Sequence, residues 1–114
     1  MSSCLFCDIT QGKIPAQIVL DNDHVLAFRD IRPMAPTHVL VIPKKHIAGV
    51  HEANADDVGL LGQVLLAARD VAEKMGPQDA GYRLVINQGA DAGQSVFHLH
   101  CHVLGGRPLA WPPG

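Results

Sequence analysis

Histidine recurs at every second position of the run His98-Leu99-His100-Cys101-His102, which leads into the apolar pair Val103-Leu104 and then Gly105-Gly106. A period of two belongs to an extended strand, in which alternate side chains share a face and neighbours on that face lie about 6.5 Å apart. His98, His100 and His102 are therefore expected to line one side, with Leu99, Cys101 and Val103 turned to a core. Crowded imidazoles disfavour one another's protonation, so at neutral pH the cluster offers uncharged rings, the form that attacks electrophiles and binds metals. Three of the seven histidines of the chain fall in this window, which argues against a strand with merely solvated histidines.

The rest of the chain reads as short strands around one helix. Residues 8–12 form a short helical turn, and Ile14-Pro15 opens an extended region. Residues 18–20 and 25–28 flank the polar link Asp21-Asn22-Asp23 and read as a hairpin. A further strand covers residues 38–42 and ends at Pro43, while Pro33 and Pro36 keep the segment before it irregular. From Asp56 or Asp57 to about Met75, apolar residues recur at three- and four-residue steps: Leu60, Leu61, Val64, Leu65, Ala68, Val71, Ala72 and Met75. This is the one long helix, with acidic residues at its start, Lys74 near its end and Gly76-Pro77 as its stop. Residues 82–87 form the strand before the histidine run. Hairpin-linked strands with one helix over a face make an α+β domain, mainly antiparallel, spanning residues 1–114 as one unit.

Composition narrows the partners. The 114 residues carry a net charge of −2, no basic run, and three Phe, one Tyr and one Trp, so the footprint of a nucleic-acid binder is missing. No apolar stretch approaches the ~20 residues of a membrane span, and the N-terminal residues lack the basic and apolar regions of a signal peptide. A cytosolic protein is expected. The odd number of cysteines argues against a disulfide framework and for thiols at Cys4 and Cys7.

The loop Gly93-Gln94-Ser95 lies just ahead of the histidines. Gly93 can adopt backbone angles that let successive N–H groups and the Ser95 hydroxyl converge on an anion, and phosphate is the obvious one. A nucleophilic imidazole beside such donors suggests attack on phosphorus through a phospho-histidine intermediate, which splits a hard displacement into two easier steps. That chemistry needs no metal. Asn87 stands where it can add a donor.

The run of residues 98–104 resembles the signature of the histidine triad family. The likeness extends over Gly12-Lys13-Ile14-Pro15-Ala16, Ala27-Phe28-Arg29-Asp30-Ile31, residues 35–47, Val103-Leu104-Gly105-Gly106-Arg107 and the terminal Trp111-Pro112-Pro113-Gly114, and looks like the nucleotide-binding branch that acts as purine nucleoside phosphoramidases. The resemblance implies that His100 attacks the α-phosphorus of an adenosine or guanosine phosphoramidate, releasing an amine and leaving a nucleotidyl-histidine for water to hydrolyse. His98, His102 and His38 belong to the same catalytic group. By the same resemblance His102, Ser95, Gln94, Gly93 and Asn87 hold the phosphate, and Asp30 accepts both ribose hydroxyls. Phe6, Ile9, Phe28, Ile31 and Leu40 form the apolar slot for the base. The family fold is an antiparallel sheet of about five strands with a long helix, continued across a twofold axis, so a homodimer is expected and Trp111 lies near the partner's site. Ala110 stands where close relatives carry a histidine, which leaves the leaving-group preference open.

Cys4-Leu5-Phe6-Cys7 is a Cys-x-x-Cys pair found in part of the family. In those members two cysteines join the equivalents of His46 and His98 in a closed, tetrahedral, structural zinc site. Other readings of the pair are a redox dithiol and two buried thiols without metal. A metallohydrolase with an open zinc site on the histidines is a competing chemistry. A dinucleoside polyphosphate hydrolase, or a nucleotide sensor or scaffold with incidental hydrolysis, are the competing functions.

Overall fold

The computed structural model describes residues 4–76 and 79–114. Helix α1 (Leu5–Thr10) opens the chain, followed by strands β1 (Ile18–Asp21), β2 (Val25–Arg29) and β3 (Thr37–Pro43), helix α2 (Val58–Met75), and strands β4 (Tyr82–Val85) and β5 (Cys101–Gly105). The five strands form one sheet in the order β1-β2-β3-β5-β4, antiparallel at every pairing. The expected α+β class, with about five antiparallel strands, one long helix and a short N-terminal one, is the class observed.

Strand β3 runs through the middle and is buried along its whole length, so its alternation sorts two cores rather than a core and a solvent face. Val39 and Val41 join Cys101 and Val103 of β5 against Val64, Ala67, Ala68, Val71 and Ala72 of α2. On the opposite face Leu40 and Ile42 meet Leu26, Phe28 and Phe6. His38 and His102 share this second, helix-poor face with Leu40, where α1 brings Phe6 onto the sheet.

Local chemistry sets the boundaries. The β1–β2 hairpin closes on Asn22, whose Oδ1 accepts from the amides of His24 and Val25, each at 2.9 Å. α2 continues from a 3-10 turn (Ala55–Asp57) that carries a capping box, in which Asn54 Oδ1 accepts from the Asp56 amide at 2.9 Å while Asp57 Oδ2 accepts from the Asn54 amide at 3.0 Å. It ends at Gly76, whose φ of 98° takes the left-handed position that a side chain resists. Pro77, the other half of the expected stop, lies outside the described residues. Among the described residues no helix is long and apolar enough to cross a membrane.

Four sequence expectations shift. α1 starts at Leu5 instead of residue 8, because Cys4 Sγ accepts the Cys7 amide at 3.3 Å and caps the turn. Leu65 of the periodic set is about half exposed and Ala67 takes its place in the core, since the helix period there tracks smaller residues close to the sheet. β4 stops at Val85 instead of 87. Most consequentially, the histidine strand begins only at Cys101, so His98 and His100 lie in a bent approach to it, and the three rings do not share one environment. Cys101 is the apolar core residue expected, and burial pushes its thiol up to about 11.

Candidate active site

Three histidines meet on the helix-poor face, and backbone groups, directly or through a neighbouring ring, dictate which nitrogen of each carries the proton. His100 is buried, and its Nδ1 lies 2.8 Å from the His98 carbonyl. A carbonyl only accepts, so Nδ1 holds the proton and Nε2 keeps its lone pair. His38 shows the reverse order. Its Nδ1 accepts from the Met34 amide at 3.0 Å, so its proton resides on Nε2, which faces His102 Nδ1 at 2.9 Å. His102 Nδ1 therefore accepts, and its Nε2 carries the proton. The result is a nucleophilic nitrogen on His100 beside a donating N–H on His102, the rings 5.0 Å apart between centroids.

Electrostatics favour the neutral form of two of these rings. Burial, reinforced by His100 and His38, holds His102 down to about 4. Burial also lowers His38, against the opposing pull of the Asp30 carboxylate. Asp30 Oδ2 lies 3.4 Å from His38 Nε2, and its Oδ1 accepts from the Arg32 amide at 2.8 Å.

These groups border an open cleft of about 1020 Å³. Its lining includes His38, His100, His102, Asp30 and Ser95, together with the expected apolar set Phe6, Ile9, Phe28, Ile31 and Leu40. Ile31 contributes from the rim, being 93% exposed. Leu5, Ile14, Pro15 and Val96 also line it; the sequence shows them only as apolar residues without a period. Asn87, Gly93, Gln94 and Trp111 do not line the cleft. Gln94 is spent on bracing its own loop: Oε1 accepts from the Gly89 amide at 2.8 Å and Nε2 donates to the Ala48 carbonyl at 2.9 Å. The Gly93 amide bonds the Ala90 carbonyl at 3.0 Å, so of the three-residue loop it is Ser95 that reaches the cleft. Trp111 is 82% exposed, near the Arg83 guanidinium, which donates to the Ala110 carbonyl at 2.9 Å and ties down the tail.

His98 points away from the cleft, into a second cluster with Cys4, Cys7 and His46 whose donor atoms all lie within 4.8 Å of one another. His98 Nδ1 is 3.3 Å from Cys4 Sγ, 3.5 Å from Cys7 Sγ and 3.2 Å from His46 Nδ1, which in turn is 3.3 Å from Cys7 Sγ. Tetrahedral zinc, with bonds of about 2.3 Å to sulfur and about 2.0–2.1 Å to nitrogen, sets N···N edges of about 3.3 Å and S···N edges of about 3.6 Å. The four separations just given lie within about 0.3 Å of those edges. His98 Nε2 donates to the Pro43 carbonyl at 2.8 Å, which leaves the Nδ1 lone pair aimed at the cluster, the outer support a metal-binding imidazole requires. The cluster can hold a metal ion.

Asp30, His38 and His102 also lie within ligand distance of one another. Here the outer partner is a donor. The Met34 N–H forces the proton onto the very nitrogen of His38 that a metal would need, so the trio forms a hydrogen-bonded chain that fixes the tautomers of His38 and His102, and the open-zinc alternative finds no support in its hydrogen bonding. None of these backbone partners, Met34 N–H, Pro43 C=O or His98 C=O, leaves a mark in the side-chain sequence.

A family profile for the HIT domain matches residues 11–109. An uncharacterised HIT-like protein of Synechocystis is 53% identical over 110 residues, 96% of each chain. Among solved structures, a HIT family hydrolase from Legionella pneumophila superimposes with a TM-score of 0.96 at 54% identity, covering 98% of this chain and 100% of that one. A histidine triad nucleotide-binding protein from Candida albicans gives a TM-score of 0.81 at 32% identity, covering 96% of this chain and 83% of that one.

Proposed function

The chain belongs to the HIT domain family, and from the geometry of its cleft we propose that it is a hydrolase cleaving the P–N bond of purine nucleoside 5′-phosphoramidates through a nucleotidyl-histidine on His100. The observation that carries this reading is the protonation pattern: His100 Nδ1–H is committed to the His98 carbonyl, freeing Nε2 to attack, while the Met34–His38–His102 chain places a proton on His102 Nε2. The names of the Legionella hydrolase and the Candida nucleotide-binding protein lend support at the level of hydrolysis and of nucleotide.

The steps follow from those atoms. The purine occupies the apolar slot against Phe6, Phe28 and Leu40, and the ribose hydroxyls hydrogen-bond Asp30, whose two oxygens accept more than the single Arg32 amide supplies. His100 Nε2 attacks the α-phosphorus as the P–N bond breaks, and the leaving nitrogen takes its proton from solvent in the open cleft, which regains one from the water that later hydrolyses the intermediate. His102 Nε2–H and Ser95 stabilise the charge on the phosphoryl oxygens, a contribution worth about 3–4 kcal/mol per donor in comparable sites. Water then displaces His100 and releases the nucleotide. Gly93, Gln94 and Asn87 serve this reading by shaping the loop that presents Ser95.

Cys4, Cys7, His46 and His98 hold a structural zinc, which supplies cross-linking and takes no part in the phosphorus chemistry. A homodimer completes the reading: β4 is an edge strand whose Leu84 and neighbouring Ile86 are exposed, and α2 exposes Val58, Leu65 and Leu66. Trp111, outside its own cleft, is then available to a partner's.

The test is hydrolysis of an adenosine 5′-phosphoramidate by the native protein and by His100→Ala. Turnover abolished by the substitution, with adenosine monophosphate still bound, supports the proposal. Nucleotide binding without turnover in the native protein would overturn it in favour of a nucleotide-binding module.

A further inference from the structure

The Cys-His cluster grips two separate parts of the cleft. One arm is α1. Cys4 caps this helix and Cys7 lies within it, and between them Phe6, 4% exposed, meets His100 edge-on at 5.2 Å and Phe28 at 5.4 Å. Leu5, Phe6 and Ile9 together wall the cleft. Six residues are far too few to sustain a helix in isolation, so α1 depends on what anchors it.

The other arm is the His98 backbone. The same residue that offers Nδ1 to the cluster and Nε2–H to Pro43 provides the carbonyl that takes the His100 Nδ1 proton at 2.8 Å. The next amide, Leu99 N–H, donates to the Ile47 carbonyl at 2.6 Å, and Ile47 adjoins His46, the fourth donor of the cluster. Two segments distant in sequence are thus locked side by side at the point where the tautomer of His100 is decided.

We propose that the Cys4–Cys7–His46–His98 cluster is the positioning element of the cleft, holding with one arm the wall against which the base stacks and with the other the carbonyl that fixes the tautomer of His100. The zinc assignment and the reading of His100 as nucleophile underlie it, but its central claim concerns a tautomer and a binding wall, which are measurable without any substrate. His98 is on this account a positioning residue, acting on His100 through its own main chain.

The experiment uses the full chain loaded with one zinc, stripped with a chelator, and reloaded. Long-range nitrogen-15 spectra of the imidazoles report the tautomer, and titration with adenosine monophosphate reports the wall. In the zinc form His100 should show a single Nδ1–H tautomer. Stripping should mix the two tautomers and weaken adenosine monophosphate binding about tenfold or more, and reloading should reverse both. His46→Asn, which removes the most exposed ligand, should shift both readouts in the same direction. An unchanged tautomer and affinity in the stripped protein would overturn the proposal. So would loss of the α2 helical signal in both the stripped protein and His46→Asn, because the cluster would then be holding the whole fold and not the cleft. If the tautomer shifts as expected yet the zinc form turns over no phosphoramidate, the functional reading fails while this inference stands.

Discussion

Main-chain atoms fix the tautomers of His38, His98 and His100, and His38 in turn fixes that of His102. Of two identical side chains two residues apart, one holds its proton on Nδ1 and the other on Nε2, because one meets a carbonyl and the other a second imidazole whose own proton is steered by an amide. Replacing His100 with Ala should reduce phosphoramidate turnover by at least about a thousandfold, as loss of a covalent nucleophile does elsewhere, measured in single-turnover kinetics. Replacing His38 with Phe keeps a ring in place but removes the proton it presents to His102, and kcat should drop about a hundredfold with KM nearly unchanged. An equal fall in affinity would contradict this tautomer-fixing role of His38. The triad's existence was legible at this scale from the histidine spacing alone, as were Asp30, Phe28 and the Cys-x-x-Cys pair through the resemblance. The division of labour was not, since Met34, Pro43 and His98 act through main-chain groups that any residue could supply.

At the level of elements, sequence periodicity was informative where one face packs on one partner. α2 declared itself because its apolar spacing has a single sheet to face, and the β1–β2 hairpin because Asn22 is a turn former whose oxygen closes the link. The histidine strand misled by its regularity: a run that alternates in sequence was read as straight, yet the chain bends through residues 96–98 so that His98 reaches the cysteines, and the regular strand begins at Cys101. α1 was placed late because its cap is a cysteine, outside the usual capping residues. The turn after β5 rests on Gly106, with φ at 90° and the space of a Cβ already taken by Pro36 Cβ at 2.8 Å. Gly106→Ala should therefore cost about 1–3 kcal/mol in denaturant unfolding, from the strained backbone and the clash together. A loss within a few tenths of a kcal/mol would show that the turn yields easily.

Taken whole, the molecule buries His38, His98 and His100 and half-buries His102 on one face of the sheet, and its stability should register them. Between about pH 6.5 and 4 the unfolded chain takes a proton at His102 that the folded chain refuses, so the unfolded state binds more protons and stability falls as pH drops through that window. His38, lowered by burial, acts in the same direction. Denaturant midpoints of the zinc-loaded native protein against those of His102→Phe should diverge in slope within that range and run parallel above it. The edge strand β4 and the exposed apolar residues of α2 predict twice the chain mass by light scattering, and a charged residue at Leu84 should halve it. The central claim, however, is covalent. Acid-quenched reaction mixtures of the native protein and an adenosine 5′-phosphoramidate, read by intact mass spectrometry with peptide mapping, should show one nucleotidyl group on His100; turnover proceeding with no adduct at any quench time, or an adduct mapped to another residue, would contradict the account.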